Sequence, residues 1–106
     1  ATLQTLREAA QARDKVRVHY EDAAGSLTQR TLRPLGCFYW GKVWTLAAWC
    51  ETRQDFRSFR LDRITQVELL RDAKHRFVDE AGKTLADYLR IAAPAEAVAY
   101  LQAGGL

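Results

Sequence analysis

Hydrophobic residues recur along this chain first with a helical period and then with a strand period. In residues 2–13, Leu3, Leu6, Ala9 and Ala10 fall on a stripe of about 3.6 residues beside Arg7, Glu8 and Gln11, which predicts an amphipathic helix with Thr2 as its cap. The period then changes to two. Val16, Val18 and Tyr20 alternate with Arg17, His19 and Glu21, the pattern of a half-buried strand. Residues 22–26 form a hairpin loop, 27–33 a second strand, and Pro34 with Gly36 a bend or bulge. The most apolar stretch, 37–50, is two aromatic-rich runs on either side of Gly41-Lys42, a tight hairpin signal. A charged loop at 51–55 leads to an alternating segment, Phe56 to Asp62, and a last strand, Ile64 to Leu70. Strands are thus expected to begin near residues 15, 27, 43, 56 and 64, and helices over 83–91 and 94–103, opened by Thr84 and Pro94. The implied class is mainly β: five short antiparallel strands curving into a small closed barrel, with a helix before it and short helical segments after.

Composition narrows this picture. One domain fits in 106 residues, with 48% hydrophobic and 27% charged side chains. Residues 1–76 are expected to hold the barrel and its helix, and 77–106 a helical tail. No apolar run approaches the ~18 residues of a membrane span, and Glu8, Arg13 and Asp14 interrupt any signal-peptide pattern. Cys37 and Cys50 are expected to be reduced strand residues of a cytoplasmic protein. The chain starts at Ala1 and contains no Met, as expected of a processed chain or a piece of a longer one. Charge is uneven: residues 30–76 carry ten basic against five acidic side chains, eight of the ten being Arg, between a neutral start and an acidic end. Arginine grips phosphate or carboxylate through a planar fork, so single arginines are expected either to pair on the surface with Asp55, Asp62 and Asp72 or to meet a ligand, and the block as a whole points to an anionic partner.

Strand parity sorts the chemistry. Trp44, Leu46, Phe59 and Leu61 share the expected core face. Thr45, Ser58 and Arg60 then point outward together, two hydroxyls and a guanidinium suited to phosphate, with small Ala47 leaving room for a base or sugar. Arg57 is expected at a barrel rim beside a carboxylate, and Arg63 either paired with an acid or on the ligand. Arg30 and Arg33 have opposite parity, so at most one joins a given surface. Tyr39, Trp40 and Trp49 are expected to be exposed, as stacking platforms for bases or as covers for the barrel's end. No nucleophile–base pair, carboxylate pair, phosphate loop or metal-ligand cluster is apparent, so no catalysis, metal or cofactor is expected.

Several segments, in order, resemble one family, the WYL domain, across residues 3–88. They are Val16-Arg-Val-His-Tyr20, Arg30-Thr-Leu-Arg-Pro34-Leu-Gly, Gly41-Lys-Val-Trp44-Thr45-Leu46, Phe56-Arg57-Ser58-Phe59-Arg60-Leu61-Asp62-Arg63-Ile64, and Phe77 followed by Leu85-Ala-Asp-Tyr88-Leu. Thr45 stands where the namesake Trp-Tyr-Leu triplet has Tyr. The resemblance implies an Sm-like barrel that senses a ligand, with nucleic acid or a nucleotide the leading candidate. It places such a domain behind a DNA-reading helix-turn-helix in bacterial transcription regulators. No helix-turn-helix fits within these residues, and those after the barrel are too few for the α/β extension of many relatives. The second reading is a protein-interaction or homodimerisation module, driven by Tyr39, Trp40 and Trp49 beside an open barrel edge.

Overall fold

Val16 and Val18, the inward positions of the first alternating segment, are fully buried, and Leu32, Leu46 and Cys50 join them from the next two strands. The structure, a computed structural model, describes residues 2–92 apart from the Trp40 side chain. Helix α1 (Thr2–Ala12) is followed by strands β1 (Lys15–Glu21), β2 (Leu27–Trp40), β3 (Val43–Cys50) and β4 (Asp55–Arg60). A 3₁₀ turn (Leu61–Arg63), strand β5 (Ile64–Leu70), a second 3₁₀ turn (Ala73–His75) and helix α2 (Leu85–Ala92) complete the order. The expected strand starts hold, the fourth falling one residue early at Asp55. The helix expected over 94–103 lies outside the described residues.

The strands form one antiparallel sheet in the order β4-β3-β2-β1-β5. Helix α1 lies on it and buries Leu6 and Ala9 of its apolar stripe in the core. The sheet curls strongly. Three strand spacings separate β4 from β1, about 14 Å on a flat sheet, yet the Phe59 and Tyr20 rings meet edge to face at 5.1 Å. The closure expected of a barrel is not reached: among the described residues β4 pairs with β3 alone and β5 with β1 alone. A side chain spans the gap instead, the backbone N–H of Arg60 donating to the Tyr20 hydroxyl at 3.4 Å. The turn at Leu61–Arg63 then carries the chain to β5.

Two local devices shape the hairpin that matters later. At Pro34–Gly36 the register of β2 against β3 shifts, Pro34 opposing Ala48 and Gly36 opposing Ala47. A Cβ on Gly36 would lie 3.2 Å from the Phe38 ring and 3.3 Å from Leu85, so glycine admits the close approach of α2. At the hairpin tip, Gly41 and Lys42 have φ of +63° and +67°, as a two-residue type I′ turn requires.

Leu46 is fully buried at the centre of the core. The Leu46→Ala variant is expected to lose about 3 kcal/mol of unfolding free energy in urea denaturation. A loss below about 1 kcal/mol would remove Leu46 from the packed core.

Candidate functional site

The register places Thr45 opposite Arg60 and Ala47 opposite Ser58, so the expected parity of these residues holds. The exposure expected of Thr45 and the room expected over Ala47 do not, although Ser58 and Arg60 stay open to solvent. Tyr88 and Leu89 of α2 pack on this face of β3 together with Leu35, Phe38, Phe56 and Leu85. Thr45 retains 7% of its surface, Ala47 1% and Trp49 9%. Thr45 therefore offers no free hydroxyl to a ligand, and the space expected over Ala47 is filled by α2. Trp49, expected at the surface, stands edge to face against Phe56 at 5.1 Å, with the Lys83 ammonium 5.1 Å above its ring. Alternation within β3 shows which residues share a face but carries no sign of a helix arriving from 35 residues further on.

Polar contacts hold that helix in place. The Asp87 carboxylate accepts from the Gly82 N–H (2.8 Å), the Thr84 N–H (3.1 Å) and the Thr84 hydroxyl (2.8 Å), while the Asp87 N–H donates back to Thr84 Oγ1 (3.2 Å). This reciprocal cap fixes the start of α2 where Thr84 signalled it. Ahead of it, Glu80 bridges Lys83 (2.9 Å) and Arg33 (3.1 Å), and Arg33 continues to Glu51 (3.3 Å), which Lys15 also reaches (2.6 Å).

The expected arginine surface is dispersed. Arg57 and Arg60 point to opposite faces of β4, and Arg30 stands on β2 opposite Val18. Arg57 reaches Asp55 at 3.5 Å, as its rim position implied. Arg30 contacts only the Gln29 carbonyl, and Arg63 makes no side-chain hydrogen bond or ion pair among the described residues. Ser58 is exposed on the edge strand. The Trp40 side chain lies outside the described residues.

What the fold does assemble lies at the tip of the β2–β3 hairpin. Tyr39 and Trp44 are cross-strand partners with ring centroids 5.5 Å apart, and Tyr39 remains 59% exposed. They open a groove of about 390 Å³ completed by Lys42, Val43, Leu61 and Asp62. Trp44 and Leu61 have core parity but are only half-buried, because both sit where the curled sheet ends. The Arg7 guanidinium lies 5.6 Å from the Trp44 ring centroid. Lys42 has no ion pair among the described residues. Arg60 forks onto Asp62, Nε to Oδ1 at 3.0 Å and Nη2 to Oδ2 at 2.7 Å. Those hydrogen bonds, with the charges of Arg60 and Arg63, hold the Asp62 carboxyl below its usual range.

Of the residues singled out in the sequence, Tyr39 lines this groove and Arg60 joins it through Asp62. Lys42 had signalled only a turn, and Trp44 only core. Asp62, at the end of the alternating segment, had signalled only a partner for arginine, and the 3₁₀ turn at Leu61–Arg63 carries it.

Other chemistry-bearing groups are quiet. Burial pushes the Cys37 thiol up to about 11 against the opposing charge of Arg7, so it is a thiol rather than a thiolate at neutral pH. Among the described residues no group of His, Cys, Asp and Glu could hold a metal ion, and no helix is long and apolar enough to cross a membrane.

Comparison with known proteins agrees with this architecture. The WYL domain family matches residues 1–69. Among solved structures the chain is similar to proteasome accessory factor B/C (PafBC) of Arthrobacter aurescens, with a TM-score of 0.61 and 24% identity. That match covers 65% of this chain and 11% of the other, so the chain spans a small part of that protein, and the likeness is one of fold.

The ion-pair network ahead of α2 has a signed pH dependence. Burial raises the Glu51 carboxyl, but the Lys15 hydrogen bond and the Arg33 and Lys15 charges outweigh it, leaving it below 4.5. Hydrogen bonds from Lys83 and Arg33 lower Glu80 in the same way. The folded state therefore binds fewer protons than the unfolded one, so this stabilisation is whole above about pH 4.5 and fades as the pH falls through the lowered values. Urea midpoints are expected to drop between about pH 5 and about pH 3, and to drop less in Glu51→Gln. Equal drops would exclude Glu51 from the network.

Proposed function

The chain belongs to the WYL domain family, and on that premise we propose that it is the ligand-sensing domain of a cytoplasmic transcription regulator, binding a nucleotide unit of single-stranded nucleic acid at the β2–β3 hairpin tip. DNA operator recognition falls to a helix-turn-helix elsewhere in the regulator. The observation that carries the reading is the groove itself: an exposed Tyr39 beside Trp44, with the ammonium of Lys42, which has no ion pair among the described residues, on the same wall. Aromatic faces stack on any base, and a cation beside them meets the phosphate. A volume of about 390 Å³ accommodates a base and sugar.

A second reading rests on the open edges. Because β4 and β5 lack outer partners among the described residues, either can add a strand from a second copy, as unpaired edges do. Homodimers of this kind are expected to appear in sedimentation at high concentration, and a strictly monomeric particle would dismiss them.

In fluorescence anisotropy with a labelled dT oligonucleotide, saturable binding is expected that weakens steeply between about 50 and about 200 mM salt. Tyr39→Ala is expected to weaken it by about tenfold or more, the range of one base–aromatic stack. Lys42→Ala is expected to lower the salt slope by about one, and Arg57→Ala, away from the groove, to leave affinity unchanged. Full affinity in Tyr39→Ala, or absence of binding at either salt, would overturn the assignment.

A further inference from the structure

Resting on the reading of the hairpin groove as a nucleotide site, we propose that Asp62 makes the groove selective for guanine. The geometry of the Arg60–Asp62 pair carries the inference. Arg60 meets the two carboxylate oxygens through Nε and Nη2, at 3.0 and 2.7 Å. These atoms belong to a planar N–C–N unit whose two N–H groups run parallel. Guanine carries the same unit on its Watson–Crick edge, N1–H and the N2 amino group. The other bases do not: adenine and cytosine place a ring acceptor beside their amino group, and thymine flanks its one N–H with two carbonyls. An ionised carboxylate only accepts, so those edges set a lone pair against it.

Asp62 lines the same groove as Tyr39, Trp44 and Lys42, so a base lying along the aromatic wall brings its edge to the carboxylate. The Asp62 and Arg60 side chains are 57% and 41% exposed. An exposed pair of this kind contributes little to stability, so the partner exchanges readily. Guanine replaces Arg60 on the fork, two hydrogen bonds for two. The released guanidinium then faces the ligand's phosphate, joining Lys42.

The test is anisotropy on the full chain with labelled dT oligonucleotides carrying one central dG, deoxyinosine or dA. Inosine keeps N1–H but lacks the N2 amino group. The dG probe is expected to bind about tenfold tighter than the other two, as a bidentate base contact discriminates. Asp62→Asn is expected to erase that difference while retaining salt-dependent binding of the dT parent. Equal affinities for the three probes, or a preference that survives Asp62→Asn, would overturn guanine selectivity and leave the groove as a general nucleotide site. Failure of every probe to bind, the dT parent included, would overturn the groove as a nucleotide site and the selectivity with it.

Discussion

Leu46, Ala48 and Cys50 of β3 point into the core beneath α1, while Ala47 and Trp49 of the same strand lie against the residues that pack with α2. A strand in that position has no solvated face over most of its length. Every residue from Thr45 to Cys50 is buried, and only the tip of the hairpin, at Val43 and Trp44, opens to solvent. The double enclosure shuts the outer face of β3 and leaves open the end at which β2 and β3 turn into one another. Tyr39, Lys42 and Trp44 stand there because the two-residue turn puts cross-strand partners of the last register pairs side by side.

Helix α2 is the weak partner in this arrangement. Eight residues are too few for a helix to persist alone in water. Its order comes from the apolar row of Leu85, Tyr88 and Leu89 on the sheet and from the Thr84–Asp87 cap at its start. Gly36 supplies the clearance, since a side chain there would press on both Phe38 and Leu85. The Glu51–Arg33–Glu80 network then ties the approach to the helix onto β2 and the end of β3. A bulge, a cap and the Glu51–Arg33–Glu80 ion pairs thus work together to enclose one face of one strand.

The strands were legible in the sequence because period-two alternation and turn residues are local signals. The hairpin at Gly41-Lys42, the bulge at Pro34–Gly36 and the cap at Thr84 could all be read from adjacent residues. Curvature was legible too, but closure was not, because a single tyrosine hydroxyl accepting from the Arg60 N–H does what a ladder was expected to do. The site was half legible. Parity correctly aligned Thr45 with Arg60, yet it cannot register a helix that packs on that face from far along the chain. Tyr39 was found because exposed aromatics near a turn are conspicuous. Asp62 was legible as a partner for arginine but not as a wall of the groove, because no local signal shows that the 3₁₀ turn at Leu61–Arg63 sets it beside Trp44 and Lys42.

Amide and indole chemical shifts of the ¹⁵N-labelled chain, followed while a dT oligonucleotide is added, test the hairpin groove most directly. Shifts are expected to concentrate at residues 39–44 and 61–63, with the Trp44 indole moving and the Trp49 indole, sealed beneath Lys83 and against Phe56, staying still. Shifts centred instead on Ser58, Trp49 and α2, or none at saturating oligonucleotide, would contradict a binding site at the hairpin tip.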